Sequence, residues 1–338
     1  MNVLICEKPG LFEYGTREKP VPEKGKAILK VHRIGICGTD LHAYEGTQPF
    51  FNYPRVLGHE LAAVIETIEP GHGFETGDKV SIIPYFNCGN CIACRNGLPN
   101  CCAAISVFGV HADGGMCEYI SVPVQYLLKG NDMNFDELAL IEPLAIGAHG
   151  IRRAGVKSDE FVLVIGAGPI GLGVMEFARI AGAKVIAMDI NEDRLQFCKE
   201  KLRVPYTVNA ASADVQQQLL AITANDMATV VIDATGNLKA INNALAYLAH
   251  GGRYVLVGLQ KENFSFSHPE FHKREAALMS SRNATKEDFE HVMDSMRKKL
   301  VQPATYITHR VKFDEVKDNF DSWLNPGTGV IKAMVEFL

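Results

Sequence analysis

The run Val162-Leu163-Val164-Ile165-Gly166-Ala167-Gly168-Pro169-Ile170-Gly171 is an apolar strand that enters a Gly-x-Gly-x-x-Gly turn and leaves it as a helix. That succession admits few architectures. A first glycine makes the tight turn, a second lets backbone approach a pyrophosphate, and a third lets helix pack on sheet, so Gly166, Gly168 and Gly171 predict a dinucleotide-binding βαβ unit. Pro169 and Ile170 open the helix, whose N-terminus faces the phosphates. Downstream, Val185-Ile186-Ala187-Met188-Asp189 ends in a carboxylate placed to accept from a ribose 2′-hydroxyl and to repel a 2′-phosphate, which favours NAD over NADP. A competing use of Asp189 is to cap the helix beginning near Asn191. Arg194 in that helix, and Thr235 and Gly258 at the ends of later strands, are further cofactor-binding candidates.

The texture of the chain changes around this unit. Before residue 134, short β-prone runs at 26–31, 61–66, 79–83 and 117–122 are separated by Gly and Pro and predict an irregular β domain. From 161 onward the order is strand, helix, strand, helix (161–165, 170–181, 184–189, 194–202, 230–234, 240–248, 253–257), the mark of a parallel sheet. Residues 286–300 and 313–323 read as helices and 331–337 as a last strand. The expected division is therefore a catalytic domain of residues 1–145 and 282–338 with a nucleotide-binding domain, 146–281, inserted in it. At 338 residues two domains are the default.

Two clusters of metal-ligating residues precede the nucleotide unit. Gly35-Ile36-Cys37-Gly38-Thr39-Asp40-Leu41-His42, with Gly58-His59-Glu60 downstream, holds a thiolate, two imidazoles and a hydroxyl. A catalytic zinc needs three protein ligands and an open position, for which Cys37, His59 and one carboxylate, Glu60 or Glu142, suffice. Thr39 and His42 would form a proton wire from an alcohol to solvent. The second cluster, Cys88, Cys91, Cys94 and Cys102, has two, two and seven intervening residues and predicts a closed tetrahedral zinc site that staples a lobe. Cys101 could replace Cys102, whereas Cys6, Cys117 and Cys198 read as core cysteines.

Composition narrows the partners. With 47% hydrophobic and 22% charged residues and a formal charge of −5, nothing suggests nucleic-acid binding. No apolar run reaches the roughly 20 residues of a membrane helix, and the start Met1-Asn2-Val3-Leu4-Ile5 lacks the pattern of a signal peptide, so a soluble cytoplasmic protein with a small-molecule partner is expected. Thiolates, rather than disulfides, are expected of its nine cysteines.

Taken in this order, the zinc signature at Gly58-His59-Glu60, Cys37, the cysteine loop and the glycine turn resemble the zinc-dependent medium-chain alcohol and polyol dehydrogenases over essentially the whole length. The resemblance implies an α/β fold with a GroES-like β catalytic domain, an inserted Rossmann domain with a cleft between them, two zinc ions per chain, NAD, and a homodimer or homotetramer. Alcohol dehydrogenases proper carry Cys as the third catalytic-zinc ligand. Glu142 at this place is similar to the sorbitol and threonine dehydrogenase branch, where it competes with the residue matching Glu60. The segments 48–55, 269–273 and 281–285 are similar to bacterial sugar-acid dehydrogenases of the L-galactonate 5-dehydrogenase and starvation-sensing type. They make Gln48, His111 and Arg282 candidate substrate contacts, with Arg282 able to grip a carboxylate bidentately or to contact cofactor. The implied reaction is hydride transfer between NAD and a secondary alcohol of a sugar acid or polyol, with Thr39 taking the alcohol proton and the cofactor ribose passing it to His42. L-threonine or sorbitol are alternative substrates, and an NAD-responsive regulator on the same scaffold is the non-enzyme alternative.

Overall fold

The computed structural model describes residues 1–48 and 51–337. Pro49 and Phe50, within the segment similar to sugar-acid dehydrogenases, lie outside the described residues. The chain opens with the hairpin β1 (Asn2–Lys8) and β2 (Leu11–Thr16), then β3 (Lys26–Gly35), α1 (Gly38–Tyr44), β4 (Glu60–Thr67) and β5 (Lys79–Ile82). The short pair β6 (Tyr85–Phe86) and β7 (Ser106–Val107) brackets α2 (Ile92–Arg95). β8 (Tyr119–Pro123), β9 (Leu127–Lys129), α3 (Phe135–Ala139) and α4 (Ile141–Ala154) follow. Next comes the alternation β10 (Phe161–Ile165), α5 (Pro169–Ile180), β11 (Lys184–Asp189), α6 (Glu192–Lys201), β12 (Tyr206–Asn209), α7 (Val215–Ile222), β13 (Ala228–Asp233), α8 (Leu238–Ala244), β14 (Leu248–Leu256), α9 (His268–Lys273) and β15 (Ala277–Ser280). The chain ends through α10 (Lys286–Arg297), β16 (Ile307–Lys312), α11 (Val316–Leu324) and β17 (Lys332–Glu336).

Two compact units result, one of residues 1–143 and 293–338, the other of 144–292. The second boundary falls eleven residues beyond the expected 281/282. Asp288, in the first turn of α10, explains the shift, because its buried carboxylate is bound by Arg152 and His149 of α4 and holds that turn to the 144–292 unit.

In the first unit β16-β17-β3-β4-β5-β9 form one sheet, with β8 also on β3. The pairs are antiparallel except β16 with β17. Its strands bury Leu29, Val31, Ile34, Leu61, Ile65, Val80 and Val335. One register matters for the site: Gly35 of β3 stands opposite Met334 of β17 on one side and Glu60 of β4 on the other.

The second unit is a six-stranded, all-parallel sheet of order β12-β11-β10-β13-β14-β15. Strand β10 is a continuous apolar run because helices cover both faces of such a sheet. The order reverses between β10 and β13, the switch point where the loops after the strands diverge and leave a ligand crevice. The glycine turn leaves β10 at that point.

Candidate active site and nucleotide turn

Cys37 is the N-cap of α1, with extended backbone, directly after β3. Asp40, at the third helical position and 1% exposed, accepts from the Cys37 N–H at 2.9 Å through Oδ2 and from the Gly58 N–H at 3.1 Å through Oδ1. One carboxylate thereby joins the turn that carries Cys37 to the turn that carries His59. Gly58 has φ +93, and the backbones of Gly109 and Gly114 pack so closely on it that a Cβ on either would lie 2.4–2.8 Å from its oxygen. Only glycines permit that approach.

His59 is buried, and its Nδ1 meets no hydrogen-bond partner among the described residues, standing 3.7 Å from Asp40 Oδ1. Burial is the largest influence on the ring and pulls its pKa down. Asp40 and Cys37 outweigh it and hold that pKa well above the ordinary value. Cys37, His59 and Glu60 each offer a ligand atom within 4.8 Å of the others.

The two candidate carboxylates are engaged differently. Glu60 is fully buried, and both its oxygens accept from Lys332 Nζ at 2.7 Å, while the same ammonium donates to Ile36 O at 3.0 Å. The strand register makes this pair. Lys332 precedes Met334 by two residues on β17, Met334 faces Gly35, and Gly35 faces Glu60. A Cβ on Gly35 would lie 2.1 Å from Glu60 Oε2, so the ammonium reaches the carboxylate only across a glycine. Glu142, in the first turn of α4 and 4% exposed, accepts a hydrogen bond from the Tyr85 hydroxyl through Oε1. Burial pushes its carboxyl up to about 7 against the opposing pull of His59. A thiolate, an imidazole and a carboxylate beside an unsatisfied buried nitrogen are a donor set that fits zinc. Sequence reasoning missed Asp40, Tyr85 and Lys332 as parts of this centre. Lys332 had a signal, a lone lysine in the apolar strand 331–337; Tyr85 had none.

Thr39 and His42 lie three residues apart on α1 and so share a face. The His42 side chain is 62% exposed, and its Nδ1 lies 3.1 Å from Thr47 Oγ1 and 3.3 Å from Glu45 Oε2. Gln48 is half-buried, and its Oε1 has no hydrogen-bond partner among the described residues. His111 is exposed, but its Nδ1 accepts from the Val107 N–H at 2.9 Å, which ties the ring to its own turn. Those two belong to the first unit, whereas Arg282 is exposed on the second.

The cysteine loop gathers Cys88, Cys91, Cys94 and Cys102. Cys88 and Cys102 sulfurs are 3.4 Å apart, and those of Cys91 and Cys94 3.5 Å. Backbone N–H groups point at the sulfurs: Cys88 N at Cys102 Sγ (3.3 Å) and Ala103 N at Cys91 Sγ (3.5 Å). Donation from the Cys94 and Ala103 amides holds the Cys91 thiol down to about 6, which favours the thiolate a metal needs. Cys102 is buried in this cluster while Cys101 is exposed outside it. Burial pushes Cys6, Cys117 and Cys198 up to about 12, as befits inert core thiols.

At the nucleotide turn Gly166 has φ +101, and a Cβ on Gly171 would stand 1.8 Å from Gly166 O. Gly168 caps α5, with Pro169 and Ile170 as its first helical residues, and within 4 Å of a Cβ placed there lies only Arg194 Nη1, at 3.9 Å. The resulting space, with helix N–H groups and a guanidinium at its edge, fits a pyrophosphate. Asp189 Oδ2 accepts from the Ala167 N–H at 2.7 Å and Oδ1 from the Asn191 N–H at 2.9 Å. Asn191, not Asp189, caps α6 by accepting from the Arg194 N–H. Each Asp189 oxygen keeps a lone pair for a ribose hydroxyl. Asp233, fully buried, accepts from Thr235 Oγ1 at 2.8 Å and from the Gly236 N–H at 3.0 Å, shaping the turn after β13. A Cβ on Gly258 would lie 2.2 Å from Gly236 N, so Thr235 and Gly258 line adjoining strand ends.

Comparison with known proteins agrees with this architecture. Residues 23–132 match the alcohol dehydrogenase GroES-like domain and residues 169–298 the zinc-binding dehydrogenase domain. The chain is 43% identical to L-galactonate-5-dehydrogenase of Escherichia coli K12 over 338 residues, covering 100% of this chain and 99% of that one. It is 34% identical to the starvation-sensing protein RspB of the same organism over 325 residues, 94% of each chain. Among solved structures, an RspB from E. coli CFT073, described as a short chain alcohol dehydrogenase complexed with NADH, superposes with a TM-score of 0.92 at 32% identity, covering 100% and 99% of the two chains. With its GroES-like β unit, its parallel nucleotide-binding sheet and its two clusters of zinc-type ligands, the chain belongs to the zinc-dependent medium-chain alcohol dehydrogenases.

Proposed function

We propose that this dehydrogenase transfers hydride between NAD and a secondary alcohol of a sugar acid, an aldonate of the L-galactonate type oxidised at its 5-position. The gathering of half-buried Cys37 with buried His59 and Glu60, and the electrostatic coupling of buried Glu142 to His59, carry the reaction class. The full-length identity with an L-galactonate-5-dehydrogenase supports the substrate class, and the NADH in a structural neighbour supports the cofactor. Cys37, His59 and Glu142 would hold a zinc ion that would supply Lewis acidity to an alcohol oxygen, and the glycine turn would hold NAD, which would supply the hydride acceptor. Cys88, Cys91, Cys94 and Cys102 would hold a second zinc, whose role would be structural.

The chain's own residues do the rest. The Thr39 hydroxyl takes the substrate proton as it gives up its own, which a cofactor ribose would relay to His42, on the same face of α1 and open to water, and so to solvent. Asp40 fixes the turns that carry Cys37 and His59, and its charge lies 3.7 Å from His59 Nδ1. Lys332 neutralises Glu60 and keeps its oxygens engaged, so Glu142 is the third ligand in this reading. Asp189 accepts from the ribose and disfavours a 2′-phosphate. Arg282 and Gln48 are the candidate grips on a carboxylate and hydroxyls of the substrate. The reading includes a cytoplasmic homodimer or homotetramer, which light scattering on the purified protein tests. No helix among the described residues is long and apolar enough to cross a membrane.

The deciding experiment follows NADH absorbance with L-galactonate, L-gulonate, L-idonate, sorbitol, galactitol and L-threonine, each with NAD and with NADP. Turnover of an aldonate with NAD is expected. Turnover of L-threonine alone moves the substrate to amino alcohols, and silence of the zinc-loaded, NAD-binding enzyme across the panel overturns the substrate class.

A further inference from the structure

Helix α9 presents two imidazoles one turn apart. His268 and His272 are both exposed, their ring centroids are 5.9 Å apart and their planes meet at 57°. Four residues advance a helix by about 6 Å along its axis and return nearly to the same face, so side chains at this spacing point the same way. Two histidines so placed form a chelate, the arrangement by which a single helix offers two nitrogens to one ion.

The backbone under the pair is pinned. Ser267 caps the helix by accepting from the Glu270 N–H. Arg274 donates to Glu270 O at 2.9 Å, to Glu270 Oε2 at 2.7 Å and to Leu248 O at 3.1 Å, and its own carbonyl accepts from the Gly251 N–H. Phe271 turns inward, its ring 5.0 Å from that of Phe266 and tilted 47° to it, and packs against the core of the parallel sheet. The peptide frame is therefore set before any ion arrives, and only the two exposed rings must rotate to converge. Preorganisation of this kind lowers the cost of binding.

The surroundings select the ion. Glu270, the acidic residue of the helix, has its carboxylate held by Lys273 and Arg274 and so is engaged away from the imidazoles. A nitrogen-only pair suits late first-row divalent ions and not magnesium or calcium. We propose that His268 and His272 form a third metal site on this chain, a surface two-imidazole chelate for an ion of the Ni2+, Cu2+ and Zn2+ class, with water completing the coordination. It shares no residue with the Cys37 or Cys88 clusters and does not depend on the substrate assigned above. Enzyme prepared in excess zinc is accordingly expected to carry more than two zinc ions per chain by elemental analysis.

The test uses the untagged full chain with both cysteine-containing sites loaded with zinc, titrated with NiCl2 in a buffer that does not chelate metal, with zinc release followed in parallel. One Ni2+ per chain is expected to bind without displacing zinc. Because the second imidazole binds intramolecularly, His268→Ala and His272→Ala each lower the Ni2+ affinity about 10²-fold. His250→Ala removes another exposed imidazole of the same unit and leaves the affinity unchanged. Both α9 positions are exposed, so thermal unfolding of the variants should match the parent and separate lost binding from lost fold. Three results overturn the proposal: Ni2+ entering only as zinc leaves, either α9 variant binding Ni2+ as the parent does, or His250→Ala weakening it equally.

Discussion

A lysine ammonium that is 2% exposed persists only because its charge is met, and Lys332 is met by both oxygens of a fully buried Glu60. Truncating one member of such a pair strands the other charge. Lys332→Met should therefore lower the stability measured by urea denaturation by about 3–5 kcal/mol. The double variant Lys332→Met/Glu60→Gln should recover most of that loss, since neither charge then remains buried; if it recovers none, the pair is not what holds the strands together. In the proposed reaction Thr39 acts on protons rather than on stability. Thr39→Val should reduce kcat by about 10²–10⁴-fold, the usual worth of a positioned proton-transfer group. NADH binding, read by fluorescence, should be unchanged, and parent turnover in the Thr39→Val enzyme would remove Thr39 from the proton path. The residues that sequence reasoning found here share local spacing, Cys37, Thr39 and His42 within six positions. Asp40 stood among them unassigned because its work, accepting from the Cys37 and Gly58 amides, links two turns that sequence shows only as separate blocks.

Between elements, the junction of α4 and α10 carries a testable electrostatic load. Asp288 accepts from Arg152 Nε and Nη2 at 2.7 and 2.9 Å, from the Thr285 amide and hydroxyl at 2.8 and 2.9 Å, and its Oδ2 lies 2.8 Å from His149 Nδ1. Burial, the largest influence, raises its pKa, yet the hydrogen bonds from His149 and Arg152 outweigh it and hold the carboxyl far below the usual carboxylate range. A depressed folded-state pKa stabilises the fold above the unfolded value, near about 4, and that contribution disappears as pH falls from there through the folded pKa. Asp288→Asn should accordingly flatten the acid limb of the urea-midpoint profile while lowering the midpoint near neutrality; an unchanged acid limb would show that the junction is not the group titrating. Element boundaries were legible where periodicity was strong. β10 and β11 match the expected ranges, whereas β12 and α7 were missed because one is four residues long and the other hides its apolar face behind Gln216, Gln217 and Gln218. β16 escaped as well, being only half-buried on one face and exposed on the other, with Ile307 and Val311 its sole large apolar residues.

At the scale of the molecule, zinc ligands and glycine turn lie in different units, 1–143 with 293–338 and 144–292. Chelation strong enough to strip both ions should therefore abolish turnover while NADH still binds with near-parent affinity, as read by fluorescence titration; loss of both together would mean that the nucleotide unit does not stand without the metals. Cys91→Ser should remove one zinc per chain by elemental analysis and lower the unfolding temperature, while Cys37→Ser removes the other and leaves unfolding nearly unchanged. Sequence by itself determined the donor types, the four-cysteine loop, the glycine turn with its carboxylate at Asp189, and the parallel alternation, because each is written in spacings of a few residues and obeys local geometry. Only the tertiary structure decided that Cys102 rather than Cys101 joins the thiolates, that the first turn of α10 belongs with the nucleotide sheet, and that Lys332 engages Glu60 while Tyr85 donates to Glu142. Lys332 and Glu60 are 272 positions apart, brought together by the register of three strands across a glycine, and no local pattern encodes which distant strands will be neighbours.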